Sequence, residues 1–392
     1  MEKIRYQFID GLRAYAVLWV MLYHINIFFD LQPITGKFYL LIYMLSYAGH
    51  FGVDIFFVIS GFLITGLLIK DMEGTIRLKR FYARRFFKIV PQYACAVLIA
   101  LIISALLPFF QVNYTWWTGM SDEGVMQFSN YFFLSHEKGS LLSYLFFFQN
   151  YTKAIPILSH TWSLAVEEHF YLLYPLVLSA VFSWRKEAHQ RRSALIGVLI
   201  GLILIFNALR YIQFNSPSGA STFATHVRAD ALMFGCLLKV LEPLMARLPR
   251  QRYPFISFVL LSASSVIFFS VIQNPFMTLE AWILTLVYVG AGLLLAGLLL
   301  NPFKPVGYFF ENKLVCSIGR NSYGLYLWHY ILIFPISLLK VPWGNVNAIL
   351  FYIAASLLFG YASTLTVERF FLNLREKHFS EDNIPKRDTA KS

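Results

Sequence analysis

The chain has 392 residues, of which 58% are hydrophobic, 18% aromatic and 14% charged, with a formal net charge of +12. This composition excludes a set of water-soluble domains and marks a membrane protein, in which a basic excess is judged by where it lies and is not by itself a nucleic-acid footprint. The three cysteines, Cys95, Cys236 and Cys316, stand in or beside apolar segments at unrelated spacings and imply neither a disulfide framework nor a zinc site.

A spanning helix needs about 20 mostly apolar residues. That test gives ten spans, at 8–29, 41–69, 91–109, 161–183, 194–212, 224–241, 254–272, 280–300, 321–339 and 348–367. The second has room for a lead-in helix from Phe38, and 132–148, interrupted by Ser, His and Lys, reads as a re-entrant or interfacial piece. The expected fold is therefore an all-α integral membrane bundle of about ten transmembrane helices over 1–369, followed by a polar cytoplasmic tail at 370–392. Bulky Tyr23-His24 stand where a leader would be cleaved, so the first span is expected to be retained.

If the N-terminus is cytoplasmic, 26 of the 33 Lys and Arg fall in cytoplasmic segments and four (Lys37, Lys138, Lys153, Lys340) in the opposite loops. Cytoplasmic loops are enriched in these residues, so both termini are placed inside. The high charge is a by-product of topology, and no nucleic-acid partner is implied.

Within the first span Arg13 and His24 are eleven positions apart, which on a helix puts them on one face about 16 Å from each other. Ionisable groups in a span usually face a polar interior and mark a ligand path; an interfacial arginine and a packing histidine are the plainer alternative. An imidazole that a neighbouring acid orients can take a proton from an alcohol, so general base is the natural role of His24. The second span carries Asp54, a buried acid that needs a cation partner, and Ser60-Gly61, which permits close helix approach.

After it, Arg77, Arg80, Arg84 and Lys88 recur at helical spacing with Arg85 beside them. Such a stripe holds anionic headgroups or docks a phosphate-bearing cytosolic ligand, since guanidinium forks match phosphate oxygens. The 110–160 connection is rich in aromatics and amides, among them Gln149, Asn150 and Tyr151, which suits either a sugar-like ligand or an interfacial belt. Asn113-Tyr114-Thr115 and Asn150-Tyr151-Thr152 match the glycosylation pattern, relevant only in a eukaryotic secretory route.

The fourth span aligns His160, Ser163, Glu167, Tyr171 and Tyr174 on one stripe, with Trp162 alongside; Glu167 is placed to orient His24 or to bind an acceptor hydroxyl. Arg228 and Asp230 in the sixth span serve acceptor positioning or a structural ion pair. In the ninth, Ser322, Tyr326 and His329 share a face, as a site or as a polar packing seam.

Taken together, Arg13-x10-His24, Gly52–Phe62, Arg80-Phe81-Tyr82-Ala83-Arg84-Arg85 through Pro91, Trp162-Ser163-Leu164-x-x-Glu167 with Tyr171 and Pro175, Arg228-x-Asp230, and Ser322–His329 resemble the acyltransferase-3 family of integral membrane O-acyltransferases. The resemblance implies transfer of an acyl group, often acetyl, from cytosolic acyl-CoA to a hydroxyl of an extracytoplasmic carbohydrate or glycolipid such as O-antigen, peptidoglycan or exopolysaccharide. It makes His24 the catalytic histidine, with Glu167 and Arg13 in its constellation, and Arg80, Arg84, Arg85 and Lys88 donor-binding. Asp54, Ser60, Trp162, Ser163, Tyr171, Arg228, Asp230, Tyr326 and His329 are then acceptor-side or supporting. Acyl-CoA (acetyl-CoA) is expected as co-substrate, with no bound cofactor or metal, in a multi-pass protein of the cell inner membrane. The chain stops after the tenth span, as in a stand-alone member without a C-terminal SGNH domain. The alternative from the residues alone is a proton-coupled transporter whose path runs through Arg13, His24, Glu167 and Arg228.

Overall fold

The computed structural model describes residues 6–29, 37–69, 77–118, 140–152, 154–216, 221–273, 281–300, 304–337 and 344–379. Among them all regular structure is helical. Helix α1 spans Gln7–Phe28, and the lead-in helix expected from Phe38 is α2, Lys37–Tyr47, joined by a 3-10 turn to α3, Gly52–Leu68.

The next element departs from expectation. The basic stripe and the third span form one 41-residue helix, α4, Leu78–Thr118, which runs through Pro91 instead of starting there. Proline removes one backbone N–H and crowds the preceding turn, a cost that neighbouring side chains relieve inside a bundle. Near the proline the Tyr323 hydroxyl donates to the Ile89 carbonyl at 3.0 Å, which ties this turn to a later helix. Pro175 has a similar companion, since Tyr82 donates to the Leu172 carbonyl at 2.9 Å.

Part of the expected re-entrant segment, up to residue 139, lies outside the described residues. From Ser140 the chain forms a short helix, α5, Ser140–Leu145, and then turns at Phe147, whose φ is 59°. Positive φ strains a bulky residue and persists where surroundings over-determine it. Phe147 stacks on Tyr93 at 4.7 Å, Tyr93 donates to the Tyr144 carbonyl, and Gln149 donates to the Thr161 carbonyl at 3.0 Å. Asn150 is buried, its amide donating to Thr225 Oγ1 and the Phe223 carbonyl, so its glycosylation pattern is not presented to solvent.

A 3-10 turn leads into α6, Trp162–Trp184, followed by α7, Ala188–Phe214, α8, Thr225–Met245, α9, Tyr253–Gln273, and α10, Ala281–Leu300. Two short helices, α11, Lys304–Glu311, and α12, Lys313–Arg320, pack on α1 and precede α13, Ser322–Ser337. Helix α14, Asn345–Ser363, continues through a π turn into α15, Arg369–Phe379, which lies along α4; the helix therefore extends past the expected tail boundary at 369/370.

Among the described residues, eight helical segments are long and apolar enough to cross a membrane. The two expected spans outside that set, α8 and α13, are the more polar or the shorter ones. Both are wrapped by other helices: α8 packs on α3, α6, α7 and α10, and most of α13 is buried. Surrounding helices let a span carry charges that lipid would reject. Helices α7 and α9 lie at the periphery and expose most of their apolar residues. The α3–α8 crossing is close, because a Cβ on Gly61 would overlap the Leu232 carbonyl oxygen and one on Gly235 the Val58 carbonyl oxygen. It fixes the register that brings Asp54 of α3 to Arg228 of α8.

Candidate functional site

Among the described residues, two of the cavities in the bundle adjoin each other, and Val53 and Tyr326 line both. The smaller, of about 150 Å³, opens toward the end of the bundle where α4 carries its basic stripe; Arg13, Arg85 and Lys88 line it together with Glu167, Glu168, Ser60, Ser163, Tyr171 and Ser322. The larger, of about 500 Å³, lies beyond the shared residues and is lined by His24, His50, His160, Trp162, Arg228, Gln149, Asn150, Tyr23 and Tyr330.

Arg13 and His24 share a helix face as the spacing predicts, but each serves a different cavity. In the basic cavity Glu167 accepts the Ser60 hydroxyl at 2.9 Å and the Tyr171 hydroxyl at 2.6 Å. The Arg85 guanidinium sits 5.1 Å from the Tyr171 ring centroid, a cation–π contact that turns it toward the acid. Lys88 follows one turn later. Arg80 and Arg84 of the same stripe lie outside the cavity lining. The face that reaches the cavity is thus 85 and 88, not the full run of 77, 80, 84 and 88.

The expectation that Glu167 orients His24 is corrected by this geometry. The partner of His24 is His329, whose Nε2 lies 3.2 Å from His24 Nδ1, while His329 Nδ1 lies 3.1 Å from the Leu325 carbonyl oxygen. Tyr330 closes on His24 edge-first at 4.8 Å and stacks on His160 at 4.6 Å. A helical wheel gives the azimuth of a side chain but not the helix it meets, and α13 occupies the space opposite His24.

Tyr326, at the shared wall, is held by two contacts: its hydroxyl is 2.6 Å from Ser163 Oγ and donates to the His160 carbonyl at 2.8 Å. Arg228 pairs with Asp54 at 3.0 Å, both buried, and its guanidinium lies 5.1 Å from the Trp162 ring centroid. This supplies the cation that Asp54 requires and presents Trp162 to the far cavity. Asp230 lines neither cavity. It pairs with Arg210 at 2.7 Å, each side chain 1% exposed, in a network with Asn207, Thr285 and Tyr288 between α7, α8 and α10. Of the two readings for Arg228 and Asp230, the structural pair fits Asp230 and the site fits Arg228.

Sequence reasoning passed over His50, Tyr330 and Arg210 as site or partner residues. The signals were present: His50 is an ionisable group two residues before Gly52, and Arg210 is a single cation in an otherwise apolar span.

The fold and the paired cavities define an all-helical, multi-pass membrane protein with a cationic pocket and a histidine pocket set back to back. Matching places it further. The family model for an acyltransferase domain, acyltransferase-3, covers residues 6–365, and the chain belongs to that family. It is 28% identical over 376 residues to the peptidoglycan O-acetyltransferase OatA of Listeria monocytogenes, covering 92% of this chain and 54% of that one. It is 30% identical over 334 residues to the O-acetyltransferase OatA of Staphylococcus aureus, covering 83% and 50%. The chain spans about half the length of these curated relatives. No solved structure matches it.

Proposed function

We propose that this protein is a membrane O-acyltransferase that moves an acyl group, acetyl by analogy with the named activity of its relatives, from cytosolic acyl-CoA to a hydroxyl of an extracytoplasmic or lipid-linked glycan. The observation that carries the reading is the pair of cavities meeting at Tyr326 and Val53, cationic on one side and bearing the His24–His329 pair on the other.

The basic end faces the cytoplasm, as the distribution of Lys and Arg favours. Arg13, Arg85 and Lys88 hold the phosphates of the coenzyme, and the thioester reaches the shared wall. On the far side the glycan hydroxyl gives its proton to His24 as its oxygen attacks the thioester carbonyl. The guanidinium of Arg228, which lines the far cavity, supplies positive charge to the developing oxyanion, since the Tyr326 and Ser163 protons are already committed at the wall. The C–S bond then breaks, and the thiolate leaves with the proton that His24 returns. The aromatic and amide lining of the far cavity, with Trp162, Gln149 and Asn150, suits a sugar ring.

The test uses purified protein in liposomes with acetyl-CoA and N-acetylglucosamine oligosaccharides, following free thiol and sugar ester by mass spectrometry. Ester formation that His24→Ala abolishes supports the proposal. CoA-independent glycan flux without ester, the behaviour of the transporter alternative, refutes it.

A further inference from the structure

His24 has two ring nitrogens, and only the one without a proton can act as base. A neutral histidine side chain in water favours the proton on Nε2, which leaves the wrong nitrogen free for a substrate in the far cavity. Which nitrogen carries the proton in a protein is set by the hydrogen bond the other one makes. In this site a chain of three groups bears on that choice, alongside a backbone hydrogen bond between His24 and Val20.

The chain starts at a backbone carbonyl, which can only accept. His329 is fully buried, and its Nδ1 lies 3.1 Å from the Leu325 carbonyl oxygen one turn earlier on α13. Nδ1 of His329 therefore carries the proton, and its Nε2 is left with a lone pair. That lone pair faces His24 Nδ1 at 3.2 Å, and a hydrogen bond there requires the proton on His24 Nδ1. His24 Nε2 is then unprotonated in a ring that lines the far cavity.

We propose that His329 is the positioning residue of this site, holding His24 in the Nδ1–H tautomer so that Nε2 is the base. The inference rests on His24 being the base of the proposed transfer. During transfer the acceptor proton moves to His24 Nε2, and the resulting imidazolium keeps its Nδ1–H on His329 Nε2. The proton then leaves with the CoA thiol, and His329 forms no bond to either substrate.

A carboxylate usually holds this place in hydrolytic triads. The acid available in the sequence, Glu167, is bonded to Ser60 and Tyr171 instead. Two imidazoles and a carbonyl do the same orienting with no resting charge, which spares the bundle the cost of an uncompensated ion at membrane depth.

Two substitutions test it in protein reconstituted in lipid nanodiscs. His329→Gln keeps an acceptor oxygen near the former Nε2 position, and His329→Met fills the space without one. The readouts are 15N NMR of ring-labelled histidine, with the His24 signals assigned by their loss in His24→Ala, and the kinetic constants. Wild type and His329→Gln are expected to show a protonated Nδ1 and a bare Nε2 on His24. In His329→Met the proton shifts toward Nε2, and kcat falls by roughly 10²-fold while both KM values stay within about twofold. A wild-type His24 protonated on Nε2, or a His329→Met protein with wild-type tautomer or wild-type kcat, overturns the inference. Full transfer by His24→Ala overturns the base assignment instead, and the NMR arm still reads the tautomer independently of turnover.

Discussion

Replacing Asp230 by Asn distinguishes a structural charge from a catalytic one. Asp230 and Arg210 are each 1% exposed and paired at 2.7 Å, and Arg210 also donates to the Val227 carbonyl and to Asn207 Oδ1. Asp230→Asn preserves shape and leaves the guanidinium without its counter-charge, which costs about 3–5 kcal/mol for a buried pair. Removing both charges, with Arg210→Met and Asp230→Leu, abolishes that penalty. It leaves Asn207 with Tyr288, Thr285 and the Ile203 carbonyl as partners, so the double variant should be more stable than Asp230→Asn by about 2 kcal/mol. Equilibrium unfolding in mixed micelles measures the cycle, and acyl transfer per folded molecule measures function. Transfer in the double variant should stay near wild type, because Asp230 lines neither cavity. A folded double variant without activity, or a single variant as stable as wild type, would refute the assignment.

Three further outcomes follow from the geometry. His24→Ala should reduce transfer by about 10²–10⁴-fold with expression and membrane insertion intact, read by ester formation against protein level. Arg85→Gln should raise KM for acetyl-CoA by about tenfold, as loss of one charge-assisted hydrogen bond does, whereas Arg84→Gln, outside the cavity lining, should leave it within about twofold. Gly61→Ala should destabilise the bundle by at least about 1–3 kcal/mol, since its Cβ meets backbone. Gly66→Ala meets only the flexible end of Lys239 and should be tolerated, and thermal unfolding in detergent compares the two.

What could be read in advance was what a single helix contains. Span positions, the lead-in before Gly52, the close approach at Gly61 and the need of Asp54 for a cation all follow from periodicity and from the expense of charge in lipid. What could not be read was which helices meet. Glu167 and His24 looked like partners because both are ionisable and inward-facing, yet the α3–α8 crossing and the placement of α13 assign Glu167 to Ser60 and His24 to His329. The contacts around Pro91 were hidden for the same reason, since Tyr323, which bonds Ile89 beside that proline, lies 234 residues further along the chain from it.

The Val53–Tyr326 wall also bears on how the two halves of the site stay apart. The isopropyl group of Val53 and the phenol of Tyr326 face both hollows, so two side chains are common to the partition between them. The phenol that helps part the two hollows is itself held in place by Ser163 and the His160 carbonyl.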